Sequence, residues 1–146
     1  MHRRTLLQTS LAFTAATFFI AAHAQSTGIA ATKRQKLVIQ VSDADPAKWS
    51  LALNNAQNVQ EELGAANVEI ELVAYGPGIG MLKIDSAANS RVAEALKAGV
   101  KIVACENTMR KQKLSKEDML ANISYAPAGV TEIMRLQQAG WSYIRP

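Results

Sequence analysis

Histidine is missing from most of this chain. Its two histidines, His2 and His23, both fall within the first 24 residues, and it has one cysteine, Cys105. From residue 25 onward a Cys-His catalytic pair is therefore excluded, and a zinc or iron site is not expected. A lone cysteine cannot close an internal disulfide, so the thiol is either buried and inert or pairs with something outside its own chain. Excess charge of one sign is lacking too. The 16 Lys and Arg face 12 Asp and Glu, and two of the arginines, Arg3 and Arg4, lie in the first 24 residues, leaving 14 against 12. Neither nucleic acid nor an anionic membrane is expected as a partner on that balance. The apolar run at 11–22 is too short to span a bilayer comfortably. No internal repeat or low-complexity linker divides the chain.

That short run fits export instead. Met1, His2, Arg3 and Arg4 make a basic start, the apolar run follows, and Ala22-His23-Ala24 matches the small-x-small cleavage rule of a signal peptide over residues 1–24. Arg3-Arg4-Thr5-Leu6-Leu7 also fits a twin-arginine signal. The expected location is the periplasm, with no membrane association after cleavage. Residues 25–35, small and polar around Gly28, Lys33 and Arg34, are expected to form a flexible leader before one domain over 36–146.

Structure is expected to begin with the apolar strand Leu37-Val38-Ile39-Gln40-Val41, of the kind buried on both faces of a parallel sheet. Asp45 as N-cap and Pro46 at the first helical position start a helix. Trp49, Ala52, Leu53, Ala56, Val59 and Leu63 recur at helical spacing on its inner face, and Gly64 closes it. A second strand runs from Val68 to Tyr75, more exposed at its start, where Glu69 and Glu71 alternate with apolar residues. Asp85 or Ser86 then caps a helix reaching Ala98, with Val92, Ala95 and Leu96 inward, and Gly99 ends it. Ser115 to Asp118 resembles a capping box. Ile123-Ser124-Tyr125 is a short strand, a helix over 127–139 turns Val130, Ile133, Met134 and Leu136 inward, and Trp141 to Ile144 form a last strand. Five strands alternating with helices predict an α/β fold with a parallel or mostly parallel sheet covered on both faces, flavodoxin-like in outline.

Two stretches carry chemistry. Val100-Lys101-Ile102-Val103-Ala104 is a β-branched strand that delivers Cys105 to its carboxyl edge, where open α/β sheets bind ligands. Asn107 is a plausible N-cap for the helix that follows, whose free N–H groups and positive end would favour thiolate over thiol. Arg110, Lys111, Lys113 and Lys116 raise the local potential while Glu106 opposes them; the same residues also suit a solvated basic surface. The second stretch, Gly76-Pro77-Gly78-Ile79-Gly80, follows the second strand directly. Its three glycines either bare backbone N–H groups to a small anion or nucleotide or shape a tightly packed loop.

With these residues in place, the chain from 36 to 146 resembles the DsrE/DsrF-like family of small sulfur-handling proteins, of the DsrEFH and YchN type. The likeness rests on Val41-Ser42-Asp43, Leu53-Asn54-Asn55-Ala56, Val73-Ala74-Tyr75-Gly76-Pro77-Gly78 and Gly99-Val100-Lys101-Ile102-Val103-Ala104-Cys105-Glu106-Asn107-Thr108. Tyr125-Ala126-Pro127-Ala128-Gly129-Val130 and Gly140-Trp141-Ser142-Tyr143-Ile144 resemble its exported branch. The resemblance implies a three-layer α/β/α fold, assembly into dimers, trimers or hexamers, and Cys105 at the position where active members hold sulfur as a persulfide. The best understood relatives act in cytoplasmic hetero-oligomeric relays, whereas this chain is expected to carry an export signal.

Three functions fit the residues. Cys105 takes sulfur from a donor protein and passes it to an acceptor, as a carrier or sulfurtransferase-like protein more than a multi-turnover enzyme, with no cofactor. Alternatively Gly76, Gly78 and Gly80, with Asn107 and Thr108 at the neighbouring strand end, hold a small anion or nucleotide and Cys105 only lines the site. In the third case the chain is a structural oligomer with Cys105 buried between subunits.

Overall fold

The computed structural model describes residues 34–146. The expected signal peptide at 1–24, and all but the last two residues of the expected leader, lie outside the described residues. Strand β1 spans Gln35–Val41, two residues earlier than its apolar run begins, and the exposed Arg34 guanidinium donates to the Val68 carbonyl at 2.8 Å beside it. Helix α1, Pro46–Leu63, opens as its sequence requires. The Asp45 carboxylate accepts the Ala47 N–H at 2.8 Å, Pro46 occupies the first turn, and Gly64 closes the helix at φ +83°, its N–H donating to the Gln60 carbonyl.

β2 (Val68–Ala74), β3 (Lys101–Cys105), β4 (Ser124–Ala126) and β5 (Ser142–Ile144) complete a five-stranded sheet in the order β4-β3-β2-β1-β5, every neighbouring pair parallel. Between them lie α2 (Asn89–Lys97), α3 (Glu106–Gln112) and α4 (Gly129–Gln138), with a 3-10 helix over Gly76–Leu82 after β2. The order differs from the 2-1-3-4-5 arrangement of flavodoxin. Strands β1 to β4 are laid down side by side in one direction, and the chain then returns to place β5 against β1. Because parallel crossovers are right-handed, the outward series and the return must pass over opposite faces.

This asymmetry divides the core. One face carries α1, α2, α3 and the 3-10 helix over a large apolar layer that includes Ile39, Leu72 and Ile102, each at most 1 % exposed. Each such side chain contributes roughly 1.5–3 kcal/mol. Among the described residues the other face is covered by α4 alone, over a layer of Val38, Val73, Val103, Ala126, Ile133 and Trp141.

Several sequence expectations change under this geometry. Leu63 is exposed, the buried face of α1 ending at Ala56 with Val59 half-buried. Glu71, expected near the surface, is 2 % exposed beneath α4 and pairs with Lys101 at 2.9 Å. On α4 only Gly129, Ile133 and half-buried Leu136 turn to the sheet. Val130 and Met134 form the adjoining stripe and stay exposed at 63 % and 51 %, because no described element lies beyond that edge of the helix. Helix α2 starts at Asn89 rather than at Asp85 or Ser86, the Ser86 hydroxyl instead accepting the Ala88 N–H at 3.2 Å in the turn before it. No helix among the described residues is long and apolar enough to cross a membrane.

Candidate functional site

Cys105 is the last residue of β3 and pairs in register with Ala126 at the end of β4. The chain leaves β3 toward the many-helix face and leaves β4 toward the face of α4. Beyond these two paired strand ends the connections diverge to opposite faces, which is where open α/β sheets form a binding crevice. The sequence reading put the thiol at a strand's carboxyl edge, and the topology adds that this edge is the switch point.

Asn107 is not the N-cap. The backbone is still extended at Cys105 (φ −80°, ψ 113°) and turns helical at Glu106, so Cys105 itself caps α3 and Asn107 lies in the first turn. The sulfur thus stands where a capping side chain would accept the N–H groups two and three residues on. Burial pushes the Cys105 thiol up. The Thr108 hydroxyl and the N–H groups of Gly129, Thr108 and Asn107 pull it down and prevail, so it titrates below the ordinary cysteine value. Near-neighbour hydrogen bonds set the direction; neither Glu106 nor the basic residues of α3 rank among the leading influences.

Two helix starts therefore meet beside Cys105. Asn107 and Thr108 belong to α3, Gly129 is the first residue of α4, and the Asn107 N–H also donates to the Pro127 carbonyl at 3.1 Å, tying the two together. Gly129 fits because it has no side chain. A Cβ there would lie 3.1 Å from Tyr75 Cβ, 3.2 Å from Val73 Cγ1 and 3.3 Å from Cys105 Cβ. These residues leave Cys105 only 4 % exposed.

The glycines of the 76–80 loop separate. Gly76, at φ +54°, joins the sulfur site through Thr108, whose Oγ1 accepts its N–H at 2.9 Å. Gly78 packs onto the end of β1, and its N–H donates to the Tyr75 carbonyl at 3.1 Å. Gly80 faces the Trp49 ring, its would-be Cβ 3.4 Å away. The exposed Asn107 side chain accepts from Arg110, and Lys116 stands 4.6 Å from the centre of the Tyr125 ring. Tyr75 and Gly129 are wall residues that the sequence did not single out. A proline and a glycine right after a short strand mark a tight strand-to-helix junction, but only the strand order brings residue 129 to residue 105.

A family model described as the DsrE/DsrF-like family matches residues 35–146. Among solved structures, a protein of unknown function, MTH1491 from Methanobacterium thermoautotrophicum, shares 34 % identity. That match has a TM-score of 0.74 and covers 77 % of this chain and 99 % of that one. BT1422 from Bacteroides thetaiotaomicron (15 % identity, TM-score 0.64, 77 % and 95 % coverage) and the ychN protein from E. coli (14 %, 0.64, 77 % and 99 %) share the fold. No curated protein matches.

Proposed function

Because the chain belongs to the DsrE/DsrF-like family, we propose that Cys105 is a sulfur-carrying thiol that accepts a sulfane sulfur and hands it on. Membership is consistent with a sulfur-relay role. The observation that carries the proposal is the sole thiol, held at the carboxyl end of β3 where α3 begins and packed against Gly129, the first residue of α4. N–H donors at a helix start stabilise an anion on sulfur, and thiolate and persulfide are both anions.

In the loading step the Cys105 thiolate attacks the outer sulfur of a donor persulfide. A bond forms from Sγ to that sulfur, the donor's S–S bond breaks, and the donor departs as a thiolate. Unloading is the mirror step, in which an acceptor thiolate takes the outer sulfur and Cys105 leaves as thiolate. No net oxidant or reductant is consumed. Thr108 and Gly129 supply positioning around Sγ, which carries the charge in the unloaded thiolate; in the persulfide the charge moves to the outer sulfur.

Intact mass after incubation with polysulfide tests this directly. Wild type gains about 32 Da per sulfur and Cys105→Ser does not; no gain on wild type, or an equal gain on the variant, refutes the carrier. The same proposal includes export, supported by the basic start and Ala22-His23-Ala24 and tested by N-terminal sequencing of the periplasmic form, expected to begin at Gln25. Self-association as a dimer, trimer or hexamer is tested by light scattering.

A further inference from the structure

Adding a sulfur atom to Cys105 needs space, and the closed structure gives little. The thiol is 4 % exposed, and on the open side of the sheet its wall is the first turn of α4, with Gly129 fitted among Cys105, Tyr75 and Val73. A donor reaches the sulfur only after that wall moves.

Among the described residues α4 is the one helix on its face, over the smaller of the two apolar layers. The opposite face buries a continuous apolar layer under several elements, whereas the large apolar side chains that α4 turns to the sheet are Ile133 and half-buried Leu136. Val130 and Met134, on its outer side, are exposed, so within the described chain nothing presses the helix down from above. Beneath it lies a polar fault. The Glu71 carboxylate is 2 % exposed, one oxygen accepts from Lys101 at 2.9 Å, and Oε1 has no partner. A buried acceptor left unmade destabilises the closed packing and is relieved when water enters. Local opening of this kind draws on elements with few apolar contacts.

We propose that α4 is a lid over Cys105, whose first turn lifts from β3 to admit the sulfur donor and closes again over the loaded sulfur. The proposal rests on the reading of Cys105 as a sulfur carrier, but its test does not use sulfur transfer.

Iodoacetamide, a small neutral alkylating reagent, labels Cys105 in native buffer at a rate set by the opening of its cover. Ile133→Ala removes the main apolar grip of α4 and speeds labelling at least about 30-fold, the fold-change of a large-to-small core truncation expressed in opening alone. Leu53→Ala, on the other face, lowers the urea midpoint to a similar degree yet changes the labelling rate less than about 3-fold. If Ile133→Ala does not fold by circular dichroism, Ile133→Val takes its place with an expected gain of about 3-fold against no change for Leu53→Ala. Equal acceleration by the two truncations means that only global unfolding exposes the thiol, and the lid is refuted. Labelling of wild type as fast as free cysteine, or a rate unmoved by Ile133→Ala or Ile133→Val, refutes it as well. A lid that passes beside a wild type that gains no sulfur by mass overturns the carrier and keeps the lid.

Discussion

Thr108 Oγ1 accepts the Gly76 N–H at 2.9 Å, and that bond orients the hydroxyl so that its own hydrogen is free to donate to Cys105. A main-chain donor on one strand's loop thus fixes the proton that stabilises a thiolate at the end of the next strand.

Replacing the hydroxyl tests this link. Thr108→Val keeps the shape and removes the donor, so the pH at which Cys105 becomes reactive moves upward toward the ordinary cysteine range; Thr108→Ser leaves it close to wild type. Alkylation rate against pH reads both, and an unmoved midpoint in the valine variant removes Thr108 from the site.

Gly78 is predicted to be irreplaceable for packing. A Cβ there would stand 2.3 Å from the Val41 carbonyl oxygen, 2.7 Å from its carbon and 2.9 Å from Ser42 Cα, all backbone atoms of the β1 end that cannot swing aside. Gly78→Ala destabilises by about 3 kcal/mol or more in urea denaturation, while wild-type-like stability would show that the loop adjusts freely.

Glu71 gives stability a pH dependence of known sign. Burial pushes its carboxyl above the ordinary glutamate value, and Lys101 offsets this only in part. The folded state then holds the proton more tightly than the unfolded chain, so this residue's contribution is full below the ordinary glutamate range and is lost as pH rises through the raised folded value. Asp43 and Asp118, lowered chiefly by hydrogen bonds from Arg145 and from Ser115, act in the opposite sense. The informative quantity is therefore the difference between wild type and Glu71→Gln across the acid range. That difference declines as pH rises; a flat one contradicts the assignment.

Asp45→Ala tests the start of α1. Loss of the 2.8 Å bond to the Ala47 N–H lowers stability by about 1 kcal/mol, read from the urea midpoint.

Local chemistry was legible in the sequence wherever a residue acts on its near neighbours. Asp45 and Pro46 start α1 because cap and proline need only the next few residues, and Ser115 and Asp118 form their reciprocal cap for the same reason. Cys105 was legible as the end of a strand. What stayed hidden depends on strand order. Glu71 looks like the outer member of an alternating strand, and only the position of β2 inside the sheet, with α4 laid across it, buries its carboxylate. Val130 and Met134 share helical spacing with Ile133, but which stripe meets the sheet is decided by where Gly129 touches Cys105. Gly129 itself stands 24 positions along the chain from the thiol it contacts, too far for periodicity to report.

The sheet ends on either side in β4 and β5, strands of three residues each. Strands so brief present few free N–H and C=O groups in a row, too few to template an approaching chain, and the rims of this domain are thereby poor nuclei for edge-to-edge aggregation.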